Sequence, residues 1–132
     1  MRVSYDDLGY SDYSFYTYED QPFTGVAYEN YPNGNLLAED SYLEGVREGI
    51  SKKWYTNGAL EYEVYYQYGA LHGLCKEWYE SGALKSEFLY EYGIRIKGKS
   101  FDEDGNLIKD YHIKDDDPNI EILKKYRYLE GS

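Results

Sequence analysis

The sequence has 132 residues, a length typical of one domain, so residues 1–132 are expected to form a single domain. Its aromatic residues (19 tyrosines, four phenylalanines and two tryptophans) exclude an intrinsically disordered chain. The sequence shows no apolar stretch of the roughly 18 residues that a membrane span requires and no signal peptide, and its one cysteine, Cys75, cannot form an internal disulfide. We therefore expect a cytoplasmic protein.

The net charge of −11 is unevenly distributed along the chain. Residues 1–44 contain nine acids and one base, residues 45–99 seven acids and eight bases, and residues 100–132 nine acids and five bases. Nucleic acids and anionic lipid surfaces repel such a protein, because binding them requires lysine and arginine. Two interpretations of the acids are open: they keep a tyrosine-rich protein in solution, or the acidic first third faces a basic protein partner.

A repeat with a period of 24 residues runs through the middle of the sequence. A fourth unit follows one residue short, with Phe101 at the position of Trp54 and Trp78 and with Asp104-Gly105 at its turn. The repeated columns are Gly25, Gly49 and Gly73; Gly34, Gly58 and Gly82; Gly45, Gly69 and Gly93; Tyr31, Tyr55 and Tyr79; Leu36, Leu60 and Leu84; Glu39, Glu63 and Glu87; and Tyr42, Tyr66 and Tyr90.

Each unit is predicted to be a β-hairpin. The dipeptide Asn57-Gly58, like its equivalents in the other units, tolerates the positive φ angles of a tight turn, and aromatic and β-branched residues flank it. A two-residue loop would place Tyr55 opposite Leu60 and Lys52 opposite Glu63. The same rule gives a cross-strand lysine–glutamate pair in the next unit.

In chain order, residues 13–24 are predicted to be half a unit that supplies the first strand, and residues 25–113 the hairpin repeats. Residues 117–127 are predicted to form a short helix that starts at Asp117 and Pro118, covers the last hairpin and hides the sheet edge. Alternation puts Tyr62, Val64 and Tyr66 on the face that is better suited to burial. The expected fold is therefore all-β, an elongated antiparallel meander of stacked hairpins with a C-terminal capping helix.

The glycine and aromatic columns resemble the MORN repeat variant, and the segment before the first full unit resembles the bacterial YwqK-type family of antitoxin or immunity proteins. The resemblance covers roughly residues 13–113 and implies a protein-binding scaffold. The fourth unit departs from the pattern at Ile96 and Asp102, as a terminal unit with one neighbour is expected to do. The stretches that carry the resemblance are residues 69–73, 76–84, 85–87 and 22–26.

The sequence offers little that is typical of catalysis or of cofactor and metal binding, and none of these functions is expected. His72 occupies the column of Glu48, and His112 lies in the last strand without a cysteine beside it, so neither is predicted to be a metal ligand. Cys75 shares a column with small residues and lacks a base in suitable spacing, which favours a packing role. The glutamate column is interpreted as an ion-pair ladder, and residues 115–117 lack the spacing and the glycine of a calcium loop.

The predicted function is binding of a protein partner, in the manner of an antitoxin or immunity protein that neutralises its toxin by direct contact. The alternative is a general scaffold for protein assembly or membrane-proximal localisation, although direct membrane binding is disfavoured by the acids. The acid excess of the first third predicts contact there. The candidate partner-binding residues are Asp12, Tyr13, Tyr16, Glu19 and Asp20.

Overall fold

The computed structural model describes residues 1–131; Ser132 lies outside the described residues. Strands dominate, and one helix follows them. The strands are β1 (Arg2–Ser4), β2 (Leu8–Tyr10), β3 (Tyr16–Tyr18), β4 (Gln21–Pro22), β5 (Gly25–Asn30), β6 (Leu36–Leu43), β7 (Val46–Trp54), β8 (Leu60–Gln67), β9 (Ala70–Leu71), β10 (Gly73–Trp78), β11 (Leu84–Glu91), β12 (Ile94–Phe101) and β13 (Leu107–His112), and the helix is α1 (Asn119–Gly131).

The main sheet confirms the predicted antiparallel meander of hairpins. Its order is β1-β5-β6-β7-β8-β10-β11-β12-β13, and β9 pairs beside β8. The prediction that residues 13–24 supply the first strand of this sheet is wrong, because β3 and β4 belong to a separate three-stranded sheet with β2. The first position is taken by β1, which pairs in parallel with β5.

The turn within each unit has three residues rather than two. In the second unit the amide of Tyr55 donates to the carbonyl of Ala59, and Trp54, not Tyr55, lies opposite Leu60. A bulge follows on β8 and restores the predicted register, so Lys52 lies opposite Glu63 as expected. The loop length was wrong and the strand register correct, because the extra loop residue and the bulge compensate each other.

The tight two-residue turns lie between the units, at the third glycine column. Tyr68-Gly69, for example, connects β8 to β9, and both residues have positive φ, which is typical of a type I′ turn. Tyrosine is strained there, and the side chain of Glu48 accepts a hydrogen bond from the Tyr68 amide at 2.6 Å. Thr24 and His72 occupy the same repeat column as Glu48. Their side chains accept hydrogen bonds from the amides of Glu44 and Tyr92, which are equivalent to the amide of Tyr68.

A row of alternating small and large side chains crosses the face of the main sheet that was expected to be the more buried. Ala27 is fully buried, Ser51 is 1% exposed, and Cys75 is also buried. Small residues at these positions leave room for the larger side chains beside them, such as Phe88. In strand order this packing row is Val3, Ala27, Asp40, Ser51, Val64, Cys75, Phe88, Gly98 and Tyr111.

A row of alternating charges crosses the opposite face. Lys76 and Glu87 form an ion pair at 3.8 Å within this row, and Glu39 at its first position is bonded to Arg2. The glutamate column therefore lies in a row of alternating charges that continues into the fourth unit, but among residues 1–131 only Lys76 and Glu87 of this row form the predicted ion pair. In strand order this charge row is Glu39, Lys52, Glu63, Lys76, Glu87, Lys99 and Asp110.

The C-terminal helix packs against the ends of the strands. It begins at Asn119 and ends at Gly131, whereas residues 117–127 were predicted. Asp117 caps the helix as expected, since its carboxylate accepts a hydrogen bond from the Asn119 amide at 2.8 Å. Leu123 is buried with Ile96 and Ile113. The edge strand β13 stays open, with Leu107–Asp110 exposed, so the prediction that the helix hides the edge is wrong.

Candidate functional site

The candidate site is carried by residues 1–23, which fold against the first unit of the main sheet. The amide of Tyr16 donates to the carbonyl of Gly45 at 2.8 Å, and the amide of Gly45 donates to the carbonyl of Phe23 at 2.7 Å. Phe23 is buried and packs with Val3 and Ala27 in a hydrophobic cluster. These contacts fix the small sheet of β2, β3 and β4 at one end of the molecule.

A buried polar cluster ties this segment to the sheet. The hydroxyl of Tyr5 donates to the carboxylate of Asp40 and lies 2.6 Å from the hydroxyl of Tyr42. Burial raises the pKa of both tyrosines above the ordinary value, and for Tyr5 the hydrogen bond to Asp40 acts in the same direction. Arg47 donates to Tyr66 at 3.3 Å on the same face of the sheet. The cluster accounts for one acid of the first third, because the buried carboxylate of Asp40 requires a donor and Tyr5 supplies it.

The structure separates the five predicted site residues into three groups. Asp12 and Tyr13 lie in the β2–β3 turn, where Tyr13 is 85% exposed. Glu19 and Asp20 form the β3–β4 turn, at the other end of β3, and both have positive φ. Tyr16 points into the protein, since its ring lies 5.1 Å from Tyr42. The five residues therefore share one small sheet without forming one cluster.

Pairing within the small sheet brings in two acids that the sequence interpretation missed. Leu8 lies opposite Tyr18, so the residues before Leu8 lie at the end of the sheet that holds the β3–β4 turn. Asp6 and Asp7 are in this position, in a short 3-10 turn, and both are exposed. We call Asp6, Asp7, Glu19 and Asp20 the acidic end. The strands are too short to show a period of two in the sequence, so no pattern signalled this pairing.

Most of the negative charge of the first third reaches solvent. Of its nine acids, Asp40 is buried and Glu39 is bonded to Arg2. The exposed tyrosines Tyr10 and Tyr13 lie on the same small sheet. The seven exposed acids are Asp6, Asp7, Asp12, Glu19, Asp20, Glu29 and Glu44.

The residues considered for chemistry take structural positions. Burial raises the pKa of the Cys75 thiol, which disfavours the thiolate that a nucleophile requires. His72 caps the turn at Tyr92, and His112 is exposed on β13. Among residues 1–131, no group of three or more histidine, cysteine, aspartate or glutamate side chains is arranged to hold a metal ion. Within the same residues, no helix has both the length and the apolar composition to cross a membrane.

Comparisons with known proteins agree with this architecture. The model of the MORN repeat variant matches residues 23–44, 47–68 and 71–92, and each match spans one strand–turn–strand unit. The chain is 56% identical over 131 residues to the immunity protein YwqK of Bacillus subtilis (strain 168), an alignment that covers 95% of this chain and 85% of that protein. No solved structure matches the chain. The chain therefore belongs to the family of MORN-repeat-variant proteins that includes the immunity protein YwqK.

Proposed function

We propose that this protein is a non-catalytic immunity protein that neutralises a toxin by direct binding, and that the small N-terminal sheet provides the contact surface. The observation that carries the proposal is the exposure of seven acids within residues 1–44, four of them at the acidic end. The name of the related immunity protein supports the same role.

The chemistry of the surface favours a basic protein partner. Exposed carboxylates attract lysine and arginine at a distance and raise the rate of association, while exposed tyrosines such as Tyr10 and Tyr13 supply contact area at low entropic cost. The rest of the sheet offers less charge for such a partner, because acids and bases alternate along the charge row and offset each other. A basic toxin surface would therefore be steered to the N-terminal end.

The experiment neutralises the acidic end without changing side-chain shape. The variant carries Asp6→Asn, Asp7→Asn, Glu19→Gln and Asp20→Asn, and the toxin tested is the product of the adjacent reading frame. We expect the association rate at low salt to fall by about tenfold or more and the dependence of Kd on salt to weaken. Protection of cells that express the toxin should fall in parallel.

A matched control changes the net charge by the same amount elsewhere. It carries Glu80→Gln, Glu103→Gln, Asp115→Asn and Asp116→Asn, four exposed acids outside the N-terminal segment. Binding by this control should stay within about twofold of the parent protein. Equal losses in the two variants would mean that net charge, rather than this surface, determines binding. Absence of binding by the parent protein itself would refute the proposed function.

A further inference from the structure

The last strand of the main sheet is an open edge at the end opposite the N-terminal surface. β13 pairs with β12 on one side only, and its other side ends the sheet. The side chains of Leu107 and Ile108 are 54% and 65% exposed. An edge strand presents alternate backbone N–H and C=O groups outward, and these groups can pair with an added strand.

The helix leaves this edge free. Its contacts run along the strand ends, from Leu123 beside Ile113 to the ring of Tyr126, which stacks on Tyr92 at 4.9 Å. Arg127 and Glu130 continue in the same direction toward β11 and β8. The helix therefore extends away from β13 after its first turns.

The charge row specifies what an added strand should carry. The signs of the charge row alternate from β6 to β13, and the row ends at Asp110, which lies opposite Lys99. Asp110 is exposed. A basic residue opposite Asp110 on an added strand would continue the alternation, whereas an acidic residue would place like charges directly opposite each other, which is destabilising.

The same charges disfavour a second copy of this chain as the occupant. In a symmetric dimer, β13 would pair antiparallel with β13 of the second copy, and residues directly opposite each other would have to lie on the same face of the sheet. Two registers meet this condition and pair most of the strand. One is centred on Lys109 and the other on Asp110. The first places two lysines opposite each other, and the second two aspartates. The edge is thus protected against self-association while remaining available to another strand.

We propose that β13 is a docking edge that accepts an extended strand from a partner protein, with a lysine or arginine of that strand opposite Asp110. Backbone hydrogen bonds along Leu107–His112 would supply the affinity, and the ion pair would set the register. The edge is independent of the N-terminal surface, since the two lie at opposite ends of the main sheet.

The test uses two synthetic seven-residue peptides with alternating threonine and valine that differ only in a central lysine or glutamate. Each is titrated at millimolar concentration into the full-length protein while amide shifts are recorded by NMR. We expect shifts confined to residues 94–113 and at least about threefold tighter binding of the lysine peptide.

Variants at Asp110 separate the ion pair from general attraction to an acidic protein. Asp110→Asn should remove the preference between the peptides, and Asp110→Lys should reverse it. Asp115→Lys, which changes an exposed acid outside the row, should leave it unchanged. Thermal melts of all variants report whether β13 still pairs with β12. The proposal would be overturned if neither peptide shifted the amides of residues 94–113. It would also be overturned if the parent and all folded variants, including those at Asp110, preferred the same peptide.

Discussion

The hydroxyl of Tyr55 donates a hydrogen bond to the backbone carbonyl of Trp78 at 2.7 Å, one hairpin further along the chain. The bond joins consecutive units rather than the two strands of one unit. It also satisfies a hydroxyl on a ring that is half-buried. The equivalent bonds are Tyr31 to Trp54 at 2.6 Å and Tyr79 to Phe101 at 2.8 Å.

Replacement of Tyr55 by phenylalanine tests the contribution of this bond. The ring is retained, so Tyr55→Phe should lower the free energy of unfolding by about 1 kcal/mol, the net contribution of one such hydrogen bond. Thermal unfolding monitored by circular dichroism should show a loss of roughly 4 °C. Tyr13→Phe is the control, because the side chain of Tyr13 is exposed, and it should leave the melting temperature unchanged.

Tyr5→Phe should destabilise the protein at neutral pH and flatten its response to alkali. Asp40 loses a donor while it remains buried, which costs about 1.5–3 kcal/mol. In the parent protein the pKa of Tyr5 is raised, so above pH about 10 the unfolded chain releases a proton that the folded chain retains. Stability therefore falls as the pH rises through this range.

Urea unfolding at pH 7 to 11 measures both effects. The free energy of unfolding should fall less steeply above pH about 10 in Tyr5→Phe than in the parent, with Tyr42 accounting for part of the remaining slope. Tyr128→Phe, at an exposed tyrosine, is the control and should follow the parent curve. Parallel curves for Tyr5→Phe and the parent would contradict the assignment.

Ser51→Ala should not destabilise the protein, although Ser51 is 1% exposed. Its hydroxyl oxygen is buried without a hydrogen-bond partner, and alanine occupies the equivalent position at residue 27. Removal of an unsatisfied buried group should raise the free energy of unfolding by about 1 kcal/mol. A measured loss of stability in urea would show that the hydroxyl has a bonded water or another partner.

Gly98→Ala should be much more damaging than Gly58→Ala. Both glycines have positive φ, but a Cβ at Gly58 would meet nothing within 4 Å, whereas one at Gly98 would lie 2.6 Å from the Cα of Phe88. We expect about 1 kcal/mol of destabilisation at Gly58 and roughly 3 kcal/mol or more at Gly98. Denaturant unfolding of the two variants provides the comparison, and equal losses would contradict the close packing at Gly98.

The repeat columns were sufficient to predict the meander and its register, because regularly spaced glycines and cross-strand pairs are local constraints. The turn between units was missed, since Glu44, Tyr68 and Tyr92 adopt positive φ without being asparagine or glycine. Their strain is offset by capping side chains from a column that contains Thr24, Glu48 and His72, three residues with no shared chemistry except a hydrogen-bond acceptor.

The N-terminal end could not be predicted from periodicity. Residues 1–22 lie outside the matched repeats, and β1, β2 and β3 have three residues each, so their pairing depends on tertiary contacts such as those of Tyr5 and Phe23. Asp102, which stands where the other units have a tyrosine, is also explained by its surroundings in the fold. Within residues 1–131 no further hairpin lies beyond β13 to accept a tyrosine hydroxyl, and the carboxylate of Asp102 instead accepts hydrogen bonds from the amides of Asp104 and Asn106 in its own turn.

The tyrosine-to-carbonyl bonds between hairpins also restrict how the length of this protein can change. They connect residues 23, 23 and 22 positions apart, so each tyrosine reaches its acceptor only when the next hairpin follows at an interval of 22 or 23 residues. Deletion or duplication of one whole hairpin would give every remaining tyrosine an equivalent neighbour, whereas a change of a few residues within a strand would break the sequence of bonds. Insertions and deletions in such a chain are therefore expected to comprise whole hairpins.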